Sequence, residues 1–327
     1  MVRGKESVKL KAHKGDQASN ARQFLKAVAD LPDWDPVNTG AVSSGLTELD
    51  QVLGGGFRPG EVTIWSGINS AGKSTLLGQI LLQAIDQDQG VCAYSGELPD
   101  RVFRYWLELQ AAGPVHLMAE TNSTGIGTVY RPRPEVIPTL RNWYRDKLFL
   151  YDGQQMEAAE GLLQAFKLAS QEYACRVFLL DNLTLTVSRL NVRDQYRAQR
   201  ELILEMVAFA RESAAHVHIV VHPRKTPGTT QLSKNDIGGS GDITNLADNV
   251  LVLARPSLKE IRRQSLRGNA RLTVLKNRFG GRQDVDIDLN FDPPSRRFYP
   301  VGGRAGDRRF GWDQTVGQDD KPRREGY

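Results

Sequence analysis

The chain has 327 residues, enough for the core of one large α/β domain, and its 43 Lys and Arg against 38 Asp and Glu give a net charge of +5, which permits nucleic-acid binding without requiring it. Cys92 and Cys175 lie in or beside apolar runs and indicate neither a disulfide framework nor a zinc site, so a reducing setting is expected. No apolar stretch has the length of a membrane span or the flanks of a signal peptide, which predicts a soluble, cytoplasmic protein without a membrane partner.

The N-terminal region is predicted to lie outside the core. Residues 1–18 carry five basic side chains and few large apolar ones, as in a disordered basic arm. Residues 19–31 then place apolar side chains at helical spacing before Pro32, which predicts a short linker helix, followed by a loop to residue 38. The apolar stripe of this helix could pack on another copy of the chain or on its own domain.

From residue 60 onward, short β-branched apolar runs alternate with longer amphipathic stretches. This alternation predicts an α/β fold with a mostly parallel twisted sheet flanked by helices. Strands are predicted over residues 61–65, 90–94, 148–151, 176–180, 216–221, 249–254, 270–276 and 285–289, and helices over residues 73–86, 100–112, 156–172 and 194–214. The domain is expected to span residues 39–300, and the Gly-, Arg- and Asp-rich residues 301–327 are predicted to be a flexible tail.

A G-x-x-x-x-G-K-S string lies where the first of these strands turns into a helix, the setting of a P-loop. Its glycines, Gly67 and Gly72, allow successive backbone amides to face a phosphate. Lys73 is expected to reach the β- and γ-phosphates of ATP, Ser74 to ligate Mg²⁺, and Thr75 to lie beside the α- and β-phosphates. The predicted nucleotide-binding residues are Gly67, Ile68, Asn69, Ser70, Ala71, Gly72, Lys73, Ser74 and Thr75.

Two carboxylates follow other strands at the same predicted edge. Asp181 ends a strongly apolar strand, where it could orient Mg²⁺, or alternatively cap the next loop. Glu97 follows the strand near residue 94 and is the candidate base for the attacking water. Its alternative role is to complement the N-terminus of the next helix.

Together these residues resemble the RecA-like hexameric replicative DNA helicases of the DnaB and Twinkle type, including the helicase half of phage primase-helicases. The lead-in over residues 39–61 is similar to the family's entry into the P-loop strand, although RecA, RadA and KaiC relatives share it. The segments around Glu97 and Asp181 resemble the family's catalytic-glutamate and Walker B motifs. The resemblance implies a ring-shaped homo-oligomer that binds ATP and Mg²⁺ and moves 5′ to 3′ on single-stranded DNA.

A strand ending in His222-Pro-Arg-Lys is similar to a motif of Twinkle-type proteins. By this resemblance His222 is the γ-phosphate sensor, since an imidazole at a strand tip can exchange hydrogen bonds when that phosphate leaves. A histidine satisfied by the loop backbone is the alternative.

Residues 226–248 resemble the DNA-binding loop of the family and the helix after it. Cations around the loop would contact phosphates, and backbone amides near its glycines could do the same without reading bases. A second cationic stretch follows the Walker B strand, and a solvated surface loop remains an alternative for both. The candidate DNA-binding residues are Arg189, Arg193, Arg224, Lys225, Lys234, Gly238, Gly239 and Ser240.

Lys276 and Arg278 are similar to the K-x-R motif of the family, in which both cations reach the nucleotide of a neighbouring subunit. Phe291 lies about where the family has an aromatic residue that stacks on the base, although a core role is equally compatible with its strand.

RadA-type recombination ATPases carry nearly the same string as residues 276–280, so a RadA-like repair ATPase is one alternative, and a KaiC-like regulatory ATPase is another. The chain lacks the four-cysteine module and the protease-like domain of RadA proteins. No primase precedes residue 19, so priming is expected to come from a separate polypeptide.

Overall fold

A computed structural model of the chain describes residues 25–152, 159–188, 193–223, 232–237, 241–255 and 266–316. It divides into two compact units, residues 1–39 and residues 40–327. The predicted basic arm over residues 1–18 and the end of the predicted tail after residue 316 lie outside the described residues.

The first unit does not form the predicted helix in its described part. Residues 25–31 contain only a short 3-10 turn, Val28–Asp30, and residues 19–24 lie outside the description. Leu25 is 79% exposed and Val28 is 82% exposed. A short amphipathic segment gains most of its helical stability from burying its apolar face, and these side chains have not buried theirs.

The second unit is built on a large sheet. In the described residues its strand order is β11-β10-β9-β8-β1-β7-β6-β2-β5, with parallel pairing from β8 to β5 and antiparallel pairing from β8 to β11. A separate antiparallel hairpin pairs β3 with β4. The strands are β1 Val62–Ser66, β2 Gly90–Ser95, β3 Leu117–Thr121, β4 Thr128–Pro132, β5 Leu148–Leu150, β6 Cys175–Asp181, β7 His216–Val220, β8 Asn249–Ala254, β9 Ala270–Asn277, β10 Val285–Asp292 and β11 Arg297–Pro300.

Helices cover both faces of this sheet, which creates two apolar cores. One core includes Leu81 and Leu107, and the other includes Phe166 and Met206. β1 and β7 lie between the cores and every residue of each is buried, as expected for central parallel strands. The α-helices are α1 Thr47–Leu53, α2 Lys73–Asp86, α3 Asp100–Ala112, α4 Ile137–Tyr144, α5 Ala159–Glu172, α6 Leu183–Ser188, α7 Gln195–Ser213, α8 Gly241–Leu246 and α9 Gly311–Val316.

The predicted α/β architecture is therefore confirmed, and each strand and helix predicted from residue 60 onward occurs with its ends within three residues. The prediction missed the shorter elements, including the β3–β4 hairpin, β11, and five helices of at most eight residues among those described. Elements of this length carry too few residues for a clear hydrophobic period, and their stability comes from packing on the sheet.

The prediction of a flexible tail from Val301 is wrong for residues 301–316. Phe310 and Trp312 are only 1% and 2% exposed, and they belong to the same apolar core as α2. The Arg297 side chain also donates to the carbonyl oxygens of Ala305 and Arg308, at 2.8 and 2.7 Å. The low aliphatic content hid the segment because two aromatic side chains and one arginine do the anchoring.

Candidate nucleotide-binding site

The phosphate loop connects the end of β1 to the start of α2. Gly67 has a φ of 147°, and a side chain there would place its Cβ 2.2 Å from the carbonyl oxygen of Leu253 on β8. Gly72 has a φ of 100° and immediately precedes the helix. Both positions therefore require glycine, one for close backbone approach and both for conformation.

Lys73 is folded into this loop. Its Nζ donates to the carbonyl oxygens of Gly67 and Ile68, at 2.9 and 3.2 Å. Burial lowers the pKa of Lys73, and the nearby carboxylates of Glu97 and Asp181 oppose that shift. The ammonium group thus lies beside the loop that is predicted to hold phosphates, with two acids near it.

Asp181 lies at the carboxyl end of β6 and is 1% exposed. Burial raises its pKa to about 6, while a hydrogen bond with the Ser74 side chain acts in the opposite direction. Its Oδ1 is buried without a hydrogen-bond partner in the described structure. A carboxylate oxygen without a partner, beside a serine hydroxyl, fits a hard cation such as Mg²⁺. This cation prefers oxygen ligands, and several of them usually come from water and from the phosphates of the substrate.

Glu97 forms a cluster with Asn182 and His222 at the same edge. Glu97 Oε1 accepts a hydrogen bond from Asn182 Nδ2 and lies 2.8 Å from His222 Nε2. Asn182 is fully buried, and its Oδ1 accepts from the backbone N–H of Leu185 at 2.8 Å, which directs Nδ2 toward Glu97. The hydrogen bond with His222 is the main cause that lowers the pKa of Glu97, so this carboxylate is held ionised.

Asn182 was not among the predicted site residues. The available signal was its position directly after Asp181, at the strand end where ligands bind in such sheets. An amide in that position can donate a hydrogen bond to the carboxylate of Glu97 without adding a charge to the site.

The phosphate loop, Glu97 and His222 border a cleft of about 980 Å³. Phe291 lines the cleft and also packs against Phe298, with ring centroids 4.9 Å apart. The Arg255 guanidinium lies 4.4 Å from the centre of the Phe291 ring. Arg255, Trp106 and Arg296 of this cleft were not among the predicted site residues, because none of the three belongs to a local motif.

Lys276 and Arg278 are not part of this cleft. They lie at the end of β9 that pairs with the start of β8, which is the edge of the sheet opposite the phosphate loop. Lys276 Nζ donates to the carbonyl oxygens of Thr244, Asn245 and Ala247 at 2.7 to 3.1 Å. Arg278 Nη1 lies 2.7 Å from Asp248 Oδ1, and the arginine side chain is 48% exposed.

The predicted DNA-binding residues are only partly described. Lys234 donates to Gln283 Oε1 at 2.6 Å, and Arg193 is exposed. Pro223 and Ile237, which lie on either side of Lys234 in the sequence, form an isolated antiparallel β-bridge. Outside the described residues lie Arg189, Arg224, Lys225, Gly238, Gly239 and Ser240.

Within the described ranges, none of the helices combines the length and the apolar character needed to cross a membrane.

Comparison with known proteins gives a consistent result. The family model of the DnaB-like helicase C terminal domain matches residues 41–300. The replicative DNA helicase DnaB of Helicobacter pylori is 24% identical over 258 residues, covering 74% of this chain and 50% of its own. The DNA helicase/primase of Enterobacteria phage T3 is 24% identical over 285 residues, covering 81% of this chain and 47% of its own. The chain thus spans about half the length of these relatives.

A solved structure of a DnaB-like replicative helicase, described with its interactions with primase, superimposes with a TM-score of 0.66 at 14% identity. The match covers 88% of this chain and 66% of that one. This likeness confirms the expected RecA-like fold.

Proposed function

Because the chain belongs to the DnaB-like helicase C-terminal domain family, we propose that it is an ATP-dependent DNA helicase of the replicative type. In this proposal a ring of identical chains, six by resemblance, hydrolyses ATP at its subunit interfaces. The hydrolysis drives movement on single-stranded DNA, 5′ to 3′ by resemblance, and unwinding of the duplex ahead. The alternatives are a RadA-like repair ATPase and a KaiC-like regulatory ATPase.

One observation supports the shared site above all: its two halves lie at opposite edges of one sheet. The phosphate loop, Asp181 and Glu97 follow the carboxyl ends of parallel strands, whereas Arg278 lies beside the amino end of β8. One chain therefore cannot bring Arg278 to its own phosphate loop. A neighbour that presents its Arg278 edge to this cleft would complete the site.

The residues of the cleft have distinct proposed roles. Lys73 would leave its loop carbonyls to contact the β- and γ-phosphates, and Ser74 and Asp181 would hold Mg²⁺. When bound, Mg²⁺ would neutralise charge on the phosphate oxygens. Glu97 would orient the attacking water and accept its proton, while Asn182 holds the carboxylate in place.

His222 would connect the chemistry to DNA. Its Nε2 contacts Glu97, its Nδ1 is buried without a partner in the described structure, and the next residue, Pro223, bridges to Ile237 beside Lys234. A change in the hydrogen bonds of the imidazole as the γ-phosphate leaves would pass to this loop. The loop cations would then act on the DNA backbone.

The remaining partners are proposed by analogy. The superimposed DnaB-like helicase is described with its interactions with primase, and a separate primase is the proposed partner of this chain. Cys92 and Cys175 are free and buried, which suits the proposed cytoplasmic setting.

Unwinding of a forked DNA duplex tests the proposal directly. Strand separation that requires ATP, Mg²⁺ and a single-stranded 5′ tail is expected. An ATPase that single-stranded DNA stimulates but that does not separate strands would favour the RadA-like alternative. An ATPase indifferent to DNA would favour the KaiC-like one.

Subunit mixing tests the shared site. The Arg278→Ala and Glu97→Gln variants should each be inactive alone, and mixing them should restore ATPase activity at interfaces that combine an intact Glu97 with an intact Arg278. Absence of any recovery, with mixed rings verified by differential tagging, contradicts action across the interface.

A further inference from the structure

Arg296 occupies the turn between β10 and β11, on the wall of the cleft. Its guanidinium carbon lies 3.4 Å from the centre of the Trp106 ring on α3, so the two planar groups are in contact. Its Nη2 donates to Thr75 Oγ1 at 3.2 Å. The arginine therefore lies between an aromatic side chain and the first turn of the phosphate-loop helix.

The backbone fixes the same arrangement. The Gln110 side chain is 1% exposed, and its Nε2 donates to the carbonyl oxygens of both Thr75 and Arg296, at 2.6 and 2.8 Å. One buried amide thus ties the arginine turn to the phosphate-loop helix. The position of Arg296 is set by the core and does not depend on a flexible surface contact.

The charge of Arg296 is not balanced within the described chain. Burial lowers its pKa, Tyr105 opposes that shift, and Arg255 adds to it. Its Nε is buried without a hydrogen-bond partner, and none of the ion pairs among the described residues includes it. The adjacent Arg297 differs, since its guanidinium donates to four backbone carbonyl groups. A half-buried cation with an unused donor is costly unless an anion binds there.

We propose that Arg296 binds the α-phosphate of the nucleotide held by its own subunit, with Trp106 as the platform that orients the guanidinium. The inference rests on the proposed nucleotide-binding function. Thr75 is expected beside the α- and β-phosphates, and its hydroxyl is the group that Arg296 already contacts. A planar guanidinium can donate to a phosphate oxygen while it remains stacked on the indole.

The location predicts a specific kinetic signature. The α-phosphate stays on the nucleotide through hydrolysis, so Arg296 would bind ATP, the transition state and ADP about equally. Such uniform binding lowers KM without raising kcat. Arg278 of a neighbouring subunit would instead act on the transferred phosphoryl group and change kcat.

The test measures direct binding of fluorescent ADP and of a fluorescent non-hydrolysable ATP analogue to the full chain with Mg²⁺. Arg296→Gln should lower the affinity for both nucleotides by the same factor, roughly ten- to hundredfold, which is the range expected for a lost charge-assisted hydrogen bond. Arg296→Lys should lie between it and the unaltered protein, because charge remains but the stacked fork is lost. In steady-state assays KM should rise by a similar factor while kcat stays within about twofold.

Trp106→Leu adds a second readout. As a single substitution it should weaken nucleotide binding. Combined with Arg296→Gln it should weaken binding little further, since the indole then has no guanidinium to orient. Arg145→Gln, at an exposed arginine outside the cleft, is the matched control and should bind normally.

Unchanged affinity in Arg296→Gln, a loss confined to the triphosphate, or a fall in kcat at constant KM would each overturn the assignment. Circular dichroism identifies a variant that fails to fold, in which case Arg296→Lys decides the matter. If the unaltered chain binds neither nucleotide, the proposed function itself fails. Suppose instead that the unaltered chain binds both nucleotides and that Lys73→Ala lowers the affinity for them, while Arg296→Gln and Arg296→Lys leave it unchanged. In that case only the Arg296 assignment fails.

Discussion

The functional side chains at the two edges of the large sheet differ in how fully they are hydrogen-bonded. At the phosphate-loop edge, Asp181 Oδ1, His222 Nδ1 and Arg296 Nε are buried without partners in the described structure. At the opposite edge, Lys276 donates to three carbonyl groups and Arg278 pairs with Asp248. The first edge has unused bonding capacity for a ligand, whereas Lys276 and Arg278 at the second edge are both bonded within the chain.

Substitutions at the two edges should therefore change different properties of the protein. Buried groups without partners cost stability, so the phosphate-loop edge gains from a ligand that fills them. Arg278 must leave Asp248 to reach another subunit, and its 48% exposure makes that exchange inexpensive. Substitutions at the first edge should change binding and chemistry in one subunit, and those at the second should act on a neighbour.

The largest expected effect is at the second edge. Arg278→Ala should lower kcat for ATP by roughly 10³- to 10⁵-fold, the range of arginine fingers, with nucleotide binding largely kept. Single-turnover ATPase assays and fluorescent-nucleotide titrations measure the two quantities. The control is Arg200→Ala, at an exposed arginine of α7. A large loss of binding with little loss of kcat would mean that Arg278 acts mainly in folding or affinity.

Glu97→Gln probes the first edge and should lower kcat by roughly 10²- to 10⁴-fold, because the amide cannot accept the proton of the attacking water. Affinity for the non-hydrolysable ATP analogue should remain within a fewfold. Asn182→Ala should give a smaller loss of kcat, since it leaves the carboxylate present but less well held. Equal activity of Glu97→Gln and the unaltered protein would exclude the general-base role.

Two buried histidines of β7 predict a pH dependence of stability. Burial lowers the pKa of His216 to about 4 and that of His218 well below its usual range. His216 is satisfied as a neutral ring, with Nδ1 donating to the carbonyl of Arg58 at 2.8 Å and Nε2 accepting from Thr63 Oγ1 at 2.9 Å.

Below about pH 6.5 the unfolded chain binds a proton at each histidine, and the folded chain does not bind one at His216 until about pH 4. At these two histidines the unfolded state gains protons across this window, so their contribution to stability falls as the pH falls. Asp181 acts in the opposite direction below about pH 6, because its raised pKa lets the folded state bind a proton there first. His216 alone should contribute about 3 kcal/mol over the full window. Urea unfolding from about pH 7 to about pH 5 measures the slope, and His216→Gln should flatten it. A variant that keeps the full slope would assign it to other groups.

The smallest expected effect is on the free energy of unfolding and concerns the hydrogen bonds of Asp248 at the second edge. Asp248 Oδ2 accepts from the backbone N–H of Val62 at 3.0 Å, and its Oδ1 holds Arg278. Asp248→Asn should lower the free energy of unfolding by about 1–2 kcal/mol, measured by urea titration. The control is Asp286→Asn, at a 43% exposed partner of Arg271, which should cost less than about 1 kcal/mol. Equal losses would mean that Asp248 is no more than a surface ion pair.

The sequence predicted those features whose cause is local. The phosphate loop follows from glycines at fixed spacing between a β-branched run and an amphipathic one, and the central strands follow from continuous apolar runs. Glu97 and Asp181 could be selected because parallel strands bring their carboxyl ends to one edge.

The tertiary structure alone decided which distant residues share the cleft and how each is satisfied. Arg296 meets Thr75 across more than two hundred positions because β11 and the phosphate-loop helix pack together through Gln110, and no local pattern encodes that meeting. The same holds for Phe310 and Trp312, whose polar surroundings suggested a flexible tail until the core enclosed them. Hydrophobic periodicity and turn chemistry act between neighbours in sequence, whereas charge balance and burial depend on neighbours in space. The sequence therefore identified a nucleotide site, and only the fold brought Arg255 and Arg296 to it.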